Sequence, residues 1–339
     1  MSFADRLVAA WYSPHLTPLT ASLAPFSFVF QAAVEFRRAL YRSGALRAER
    51  LPVPIVIVGN LTVGGSGKTP LTIALARSLG ERGWRPGIVS GGYGSAKREP
   101  REVAAGSTPD QVGDEPILLA RSGFPVWVGR DRSAVARALL AAHPACNVVV
   151  ADDGLQHYAL ARTVEIAVID AARGLGNGWM LPAGPLRENA SRLDEVDAVV
   201  RLERVAAASA ARVSARQSTM TLVGDSFVRV TAPAVVAAAE SFRAPGVHAL
   251  AGIGNPERFF DHLRSLGIDA TCHAFADHHR FTPADLAIPG ARAILMTEKD
   301  AVKCVAFADN RCWALPVRAA IDPSLLTLIE ERLRGSQTA

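Results

Sequence analysis

VGNLTVGGSGKTP, residues 58–70, decides the fold. It follows the apolar run IVIV (55–58) and leads into a segment with helical character. Pro54 to Val58 reads as a short buried strand. Gly64, Gly65 and Gly67 let the backbone turn tightly and aim its amides inward, with Ser66 between them. Lys68 and Thr69 follow, and Pro70 stands where a first helical turn tolerates its missing N–H. Strand, glycine loop and helix in that order are the context a P-loop requires. Backbone amides and a helix N-terminus would bind phosphate oxygens, Lys68 the β- and γ-phosphates, and Thr69 a magnesium ion. One position departs from the strict motif: Thr62 stands where a glycine is expected.

A P-loop needs a second carboxylate at the end of a neighbouring strand. NVVVADDGLQH (147–157) supplies it: Val148 to Ala151 read as a buried strand that ends in Asp152 and Asp153. Two adjacent carboxylates there are costly without a cation; an exposed Asp-Asp-Gly turn is the plainer reading. Working outward, 54–58, 86–90, 125–128, 147–151 and 164–169 read as strands. Helices are expected near 26–42, 70–82, 116–122 and 131–142. The fold class is therefore α/β: a P-loop NTPase-like three-layer domain with a mostly parallel sheet, plus a second, smaller α/β domain and an N-terminal amphipathic helical segment. TMTLVGDSFVRV reads as a hairpin about Gly224-Asp225. The expected divisions are 1–50, 51–215 and 216–335. GIG at 252–254 lacks the third glycine of a dinucleotide fingerprint, since Glu257 takes its place, and reads as a strand-to-helix turn.

With 339 residues, 49% hydrophobic and 20% charged, the chain is globular in composition and long enough for two domains. Four cysteines without a CxxC pair argue against a disulfide framework or a zinc site. The net charge is +5, and residues 1–50 carry six arginines against three acids. Leu7 to Val34 contain no charge, but Pro14, Pro18, Pro25 and several hydroxyl residues argue against a spanning helix. Instead Phe26, Val29, Phe30, Ala33, Leu40 and Tyr41 recur at helical spacing, with Gln31, Glu35, Arg38 and Arg42 opposite. Such a helix either packs on the protein's own core or lies in a membrane interface with arginines at anionic headgroups.

Two further clusters could serve an acceptor hydroxyl. In DQVGDEP (110–116), Asp114 and Glu115 open a helix, either as first-turn acids or as a base and its neighbour. In FADHHRF (275–281), Asp277, His278 and His279 suit acid–base work or a helix cap. The guanine-reading motif is missing, since TEKD at 297–300 places its lysine one residue late. Val63 stands where deviant-Walker ATPases carry a lysine. Scattered basic residues and 6% aromatics argue against nucleic acid.

Taken in order, GNLTVGGSGKTP, GDEP, DDGLQH, LPAGPLRE, AGIGNPERFF, DHH and TEKDAVK resemble the tetraacyldisaccharide 4′-kinase family, up to about Cys304. The resemblance implies transfer of the γ-phosphoryl of ATP, with Mg²⁺, to the 4′-hydroxyl of a tetraacylated glucosamine disaccharide 1-phosphate. It implies an enzyme peripheral on the cytoplasmic face of the inner membrane, whose anionic lipid substrate agrees with the basic N-terminus; a monomer is expected. By motif, Asp114 matches the base and His278, ahead of His279, its partner. Arg187 matches a basic residue near the transferred group. Asp152, Asp153, Thr69 and Glu115 are placed at the metal, and Gln156, His157 and Glu188 near the substrate. One departure stands out: the family's Ser-Arg-Gly-Tyr-Gly is here SGGYG, with Gly91 replacing the arginine and Lys97 or Arg98 as candidate substitutes.

Overall fold

The computed structural model describes residues 3–92, 99–203 and 216–337. Lys97 and Arg98 lie outside the described residues.

Eight strands follow one another along the chain: β1 (Ile55–Gly59), β2 (Pro86–Ser90), β3 (Arg101–Glu102), β4 (Val126–Val128), β5 (Val148–Asp152), β6 (Val164–Asp170), β7 (Ala198–Glu203) and β8 (Gln217–Val223). Six more form a second sheet: β9 (Ser226–Arg229), β10 (Ala232–Ala238), β11 (Val247–Ala251), β12 (Thr271–Ala274), β13 (Ala293–Thr297) and β14 (Cys312–Leu315). A last strand, β15 (Arg318–Ile321), returns to the first sheet. Its order is β15-β8-β7-β6-β1-β5-β2-β4-β3, parallel throughout except for the antiparallel edges β15 and β3. The second sheet runs β10-β9-β14-β13-β11-β12, with β14, β13, β11 and β12 parallel.

Helices α1 (Phe3–Trp11) and α2 (Pro18–Arg42) precede the sheet; α3 (Lys68–Glu81), α4 (Pro109–Val112), α5 (Asp114–Ala120) and α6 (Arg132–Ala142) connect its strands. The smaller sheet carries α7 (Pro256–Ser265), α8 (Pro283–Leu286) and α9 (Glu298–Cys304), and α10 (Pro323–Gln337) closes the chain.

Both faces of β1 are buried, which explains its unbroken apolar run. Val56 and Val58 pack with Leu71, Leu75 and Leu79 of α3 and Ile329 of α10. Ile55 and Ile57 pack on the opposite face with Val135 and Leu139 of α6. This is the three-layer α/β arrangement that the strand pattern implies.

Two local expectations are corrected. TMTLVGDSFVRV is not a hairpin: β8 pairs in the large sheet and β9 in the small one. Met220 belongs to the large core and Phe227 to the small one, so burial pulls the two strands apart. Gly224 marks the crossing, beside the return crossing at Pro316, whose carbonyl oxygen would lie 2.2 Å from a Cβ there. The division expected at residue 215 falls between β7 and β8, both in the large sheet.

The prolines also fail to break the N-terminal helix. Thr17 caps α2, Pro18 sits in its first turn, and Pro25 lies inside it. Its burial follows the expected stripes only in part: Phe30, Leu40 and Tyr41 are half-buried, and Phe26, Val29 and Ala33 are exposed. Thr20, Ser27 and Arg38 are the buried residues, and Phe30 and Val34 pack on the core. Ser27 donates to the Met180 carbonyl, and Arg38 pairs with Glu195 at 2.6 Å. Phe26, Phe28, Val29 and Phe36 are left exposed, each more than 60%. By length and composition α2 could cross a membrane.

Candidate active site

The P-loop leaves the C-terminal end of β1, next to the end of β5, where Val58 pairs with Asp152. Loops following the parallel strands of the smaller sheet face it. The two units come close at Gly65 and Gly254: a Cβ on Gly254 would lie 2.4 Å from the Gly65 nitrogen. Between them is a cleft of ≈ 420 Å³. Gly65 to Thr69, Glu115 and Lys299 line its polar part, and Leu118, Leu202, Ile253 and Phe259 its apolar part.

Lys68 Nζ donates to Asn60 Oδ1 at 3.0 Å and lies 3.8 Å from Asp153. Arg187 grips both oxygens of Asp153, at 3.1 and 2.8 Å. Burial alone would raise the Asp153 carboxyl. Lys68, Arg187 and the more distant Arg132 outweigh it and hold the group well below the usual carboxylate range. Asp152 goes the other way: burial and the charges of Glu115 and Asp153 push it up, against the pull of Lys68. Its Oδ1 accepts from Thr72 at 3.1 Å, while its Oδ2 is buried with no partner. An orphaned carboxylate oxygen is the mark of an expected cation. Among the described residues no three His, Cys, Asp or Glu side chains form a metal cage. That suits Mg²⁺, which takes one or two carboxylates and leaves the rest of its shell to phosphates and water.

Across the cleft, His278 meets Asp114, Nδ1 to Oδ2 at 3.0 Å. His279 does not; it stacks on Phe275 with ring centroids 4.6 Å apart and pairs with Asp285. Lys299 Nζ lies 3.3 Å from His278 Nε2. An ammonium can only donate, so Nε2 accepts and Nδ1 carries the proton that Asp114 receives. His278 holds this pose with φ at 59°, a left-handed conformation unusual outside glycine. Burial would raise the Asp114 carboxyl, but the His278 hydrogen bond and the charges of Lys299 and Lys303 hold it down at about 2. Glu115, expected at the metal, pairs with Lys299 at 3.0 Å while its charge still reaches Asp152.

Gln156 donates to the Asn60 carbonyl at 3.3 Å and to Glu188 at 3.2 Å. Glu188 is buried and also hydrogen-bonded by Tyr158, so it faces into the protein rather than the cleft. His157 lies among Arg132, Arg37 and Arg162; burial first, then those charges, lower its ring to about 4.

Four residues here were not singled out by the sequence: Asn60, Arg132, Lys299 and Lys303. The lysines had a signal, being both in TEKDAVK. Arg132 had none. Its guanidinium is buried beneath Gly91, and a Cβ at Gly91 would lie 2.6 Å from Arg132 Nη2. The missing side chain at 91 is therefore the space a second, buried guanidinium uses near Asp152 and Asp153.

A glycine-rich loop after β1, two carboxylates at the adjacent strand end and a carboxylate–histidine pair joining the two units define a P-loop phosphotransferase. The family model described as Tetraacyldisaccharide-1-P 4'-kinase matches residues 19–334. The chain belongs to that family. It is 51% identical to the tetraacyldisaccharide 4'-kinase of Dechloromonas aromatica over 319 residues, covering 94% of this chain and 93% of that protein. It is 45% identical to that of Methylobacillus flagellatus over 333 residues, covering 98% and 97%. The structure of LpxK from Aquifex aeolicus in complex with ATP aligns with a TM-score of 0.78 at 28% identity, covering 93% of this chain and 99% of that one.

Proposed function

We propose that this chain transfers the γ-phosphoryl of ATP to the 4′-hydroxyl of a tetraacylated glucosamine disaccharide 1-phosphate, at the cytoplasmic face of the inner membrane. The observation that carries the reading is the Asp114–His278 pair, whose neighbours Glu115 and Lys299 line one cleft with Lys68. Gly64, Gly65, Ser66 and Gly67 cradle the phosphates with their amides. The apolar wall at Leu202, Ile253 and Phe259 suits the base of the nucleotide. Thr69 and Asp152 would hold Mg²⁺, with Asp153 and Glu115 as the nearby acids; the bound ion would neutralise phosphate charge.

A sugar hydroxyl is a weak nucleophile, and Asp114 accepts its proton as the new bond forms. His278 aims that carboxylate. Lys68 and Arg187 offset the negative charge spread over the transferred group. Gln156 and His157 border the acceptor side, and Glu188 supports it from beneath.

The exposed Phe26, Phe28, Val29 and Phe36 dip into the lipid, bringing the cleft to a substrate whose acyl chains remain there. Residues 1–50 act as the membrane segment, the large sheet as kinase core, and the smaller sheet as the part that carries His278 and Lys299. The chain works as a monomer. Incubation with labelled ATP and the disaccharide monophosphate in detergent micelles tests the reading: label should appear on the lipid. Hydrolysis of ATP with no labelled lipid would defeat it.

A further inference from the structure

Asn60 is the first residue after β1, and it is fully buried despite its polar side chain. A buried amide is tolerated only when its hydrogen bonds are made. Here they join the separate parts of the site. Oδ1 accepts from Lys68 Nζ at 3.0 Å and also from Arg187 Nη2. The main-chain oxygen accepts from Arg187 at 2.7 Å and from Gln156 at 3.3 Å. Nδ2 points back to the phosphate loop, 3.4 Å from both Thr62 Oγ1 and the Gly64 carbonyl. Only one orientation of the amide fits, because the flipped one would turn its NH₂ toward two cations.

Two mutually repelling cations, far apart in sequence, thus share one neutral acceptor. We infer that Asn60 is a positioning residue for phosphoryl transfer, holding Lys68 and Arg187 side by side so that both meet the terminal phosphate of the nucleotide. The inference rests on the reading of those two cations given above. The choice of an amide has a physical reason. Lys68 and Arg187 already share one carboxylate, Asp153, so these three groups together carry a surplus of one positive charge. A carboxylate at position 60 would cancel the surplus. An apolar side chain would leave a nearly buried ammonium without its acceptor.

The test uses Asn60→Asp, close to isosteric, and Asn60→Ala in the full chain. ATP and ADP binding are measured by calorimetry, and kcat and KM on the lipid acceptor. Both variants should lower kcat roughly 10- to 100-fold, as expected for disturbing preorganised charge. Both should also weaken ATP about tenfold more than ADP, a split that a packing defect would not produce. Unchanged kcat, or equal losses for ATP and ADP, would overturn the inference. So would failure of both variants to fold, which would make Asn60 a support of the loop alone. Nucleotide discrimination is read without lipid. A wild-type protein that binds ATP but never labels the acceptor would therefore sink the proposed function and leave this assay decisive.

Discussion

Asp114 and His278 are 164 residues apart in sequence and 3.0 Å apart in the structure. One opens α5 of the large unit, and the other lies in the loop between β12 and α8 of the smaller one. The pair joins the two units, and Lys299–Glu115 at 3.0 Å and Arg258–Asp170 at 3.2 Å join them again.

Asp114→Ala is expected to lower kcat on the order of 10²–10⁴-fold, the usual span for a general base, with ATP affinity nearly unchanged. His278→Ala should give a smaller loss through misorientation of the carboxylate. Steady-state kinetics with calorimetric ATP binding checks both, and wild-type turnover in Asp114→Ala would remove the residue from the mechanism.

The same carboxyl ties stability to pH. Its native pKa of about 2 lies below the ordinary value of 3.8. Its stabilisation is therefore complete above pH ~4 and fades as pH falls toward ~2, a loss on the order of 2 kcal/mol. Urea unfolding of wild type and Asp114→Asn should differ by about that much at neutral pH and converge in acid.

Asp152 is expected to respond in the opposite sense. Burial and Glu115 push its carboxyl up, so a proton competes with Mg²⁺ for the partnerless Oδ2. The apparent Mg²⁺ affinity of the ATP complex should rise with pH through the neutral range, and Asp152→Asn should flatten that dependence. Because a charged Asp152 opposes folding above its unfolded pKa, Asp152→Asn should also melt higher than wild type when Mg²⁺ is left out.

Gly91→Ala places a methyl group against the buried guanidinium of Arg132. Forcing that side chain out of position should cost about 1–3 kcal/mol and reduce turnover. If the variant unfolds and turns over like wild type, the tight fit at 91 has no consequence.

Replacing Phe26, Phe28 and Phe36 with serine should leave the unfolding transition within about 0.5 kcal/mol of wild type, because all three are exposed. Sedimentation with anionic vesicles should nevertheless fall sharply. Arg38→Met should do the reverse, destabilising by roughly 1 kcal/mol, since Glu195 is partly exposed and keeps Arg42 and Arg192, while leaving vesicle binding intact.

Much of the large sheet was legible in the sequence, because β1 and β5 are apolar on both faces and each ends in its chemistry: a glycine loop in one, two aspartates in the other. Local spacing alone marked the glycine loop, since its residues are neighbours in the chain and lead directly from β1 into α3. Tertiary structure decided the rest. Which sheet β8 and β9 joined depended on which core buried Met220 and Phe227. Which face of α2 met solvent depended on Glu195 and the Met180 carbonyl, more than 150 residues downstream. Arg132 belongs to no motif, and the motifs that contain Asn60 and Lys299 gave neither residue a role. Their partners lie on other elements, and electrostatic complementarity between distant segments leaves no periodic trace in the chain.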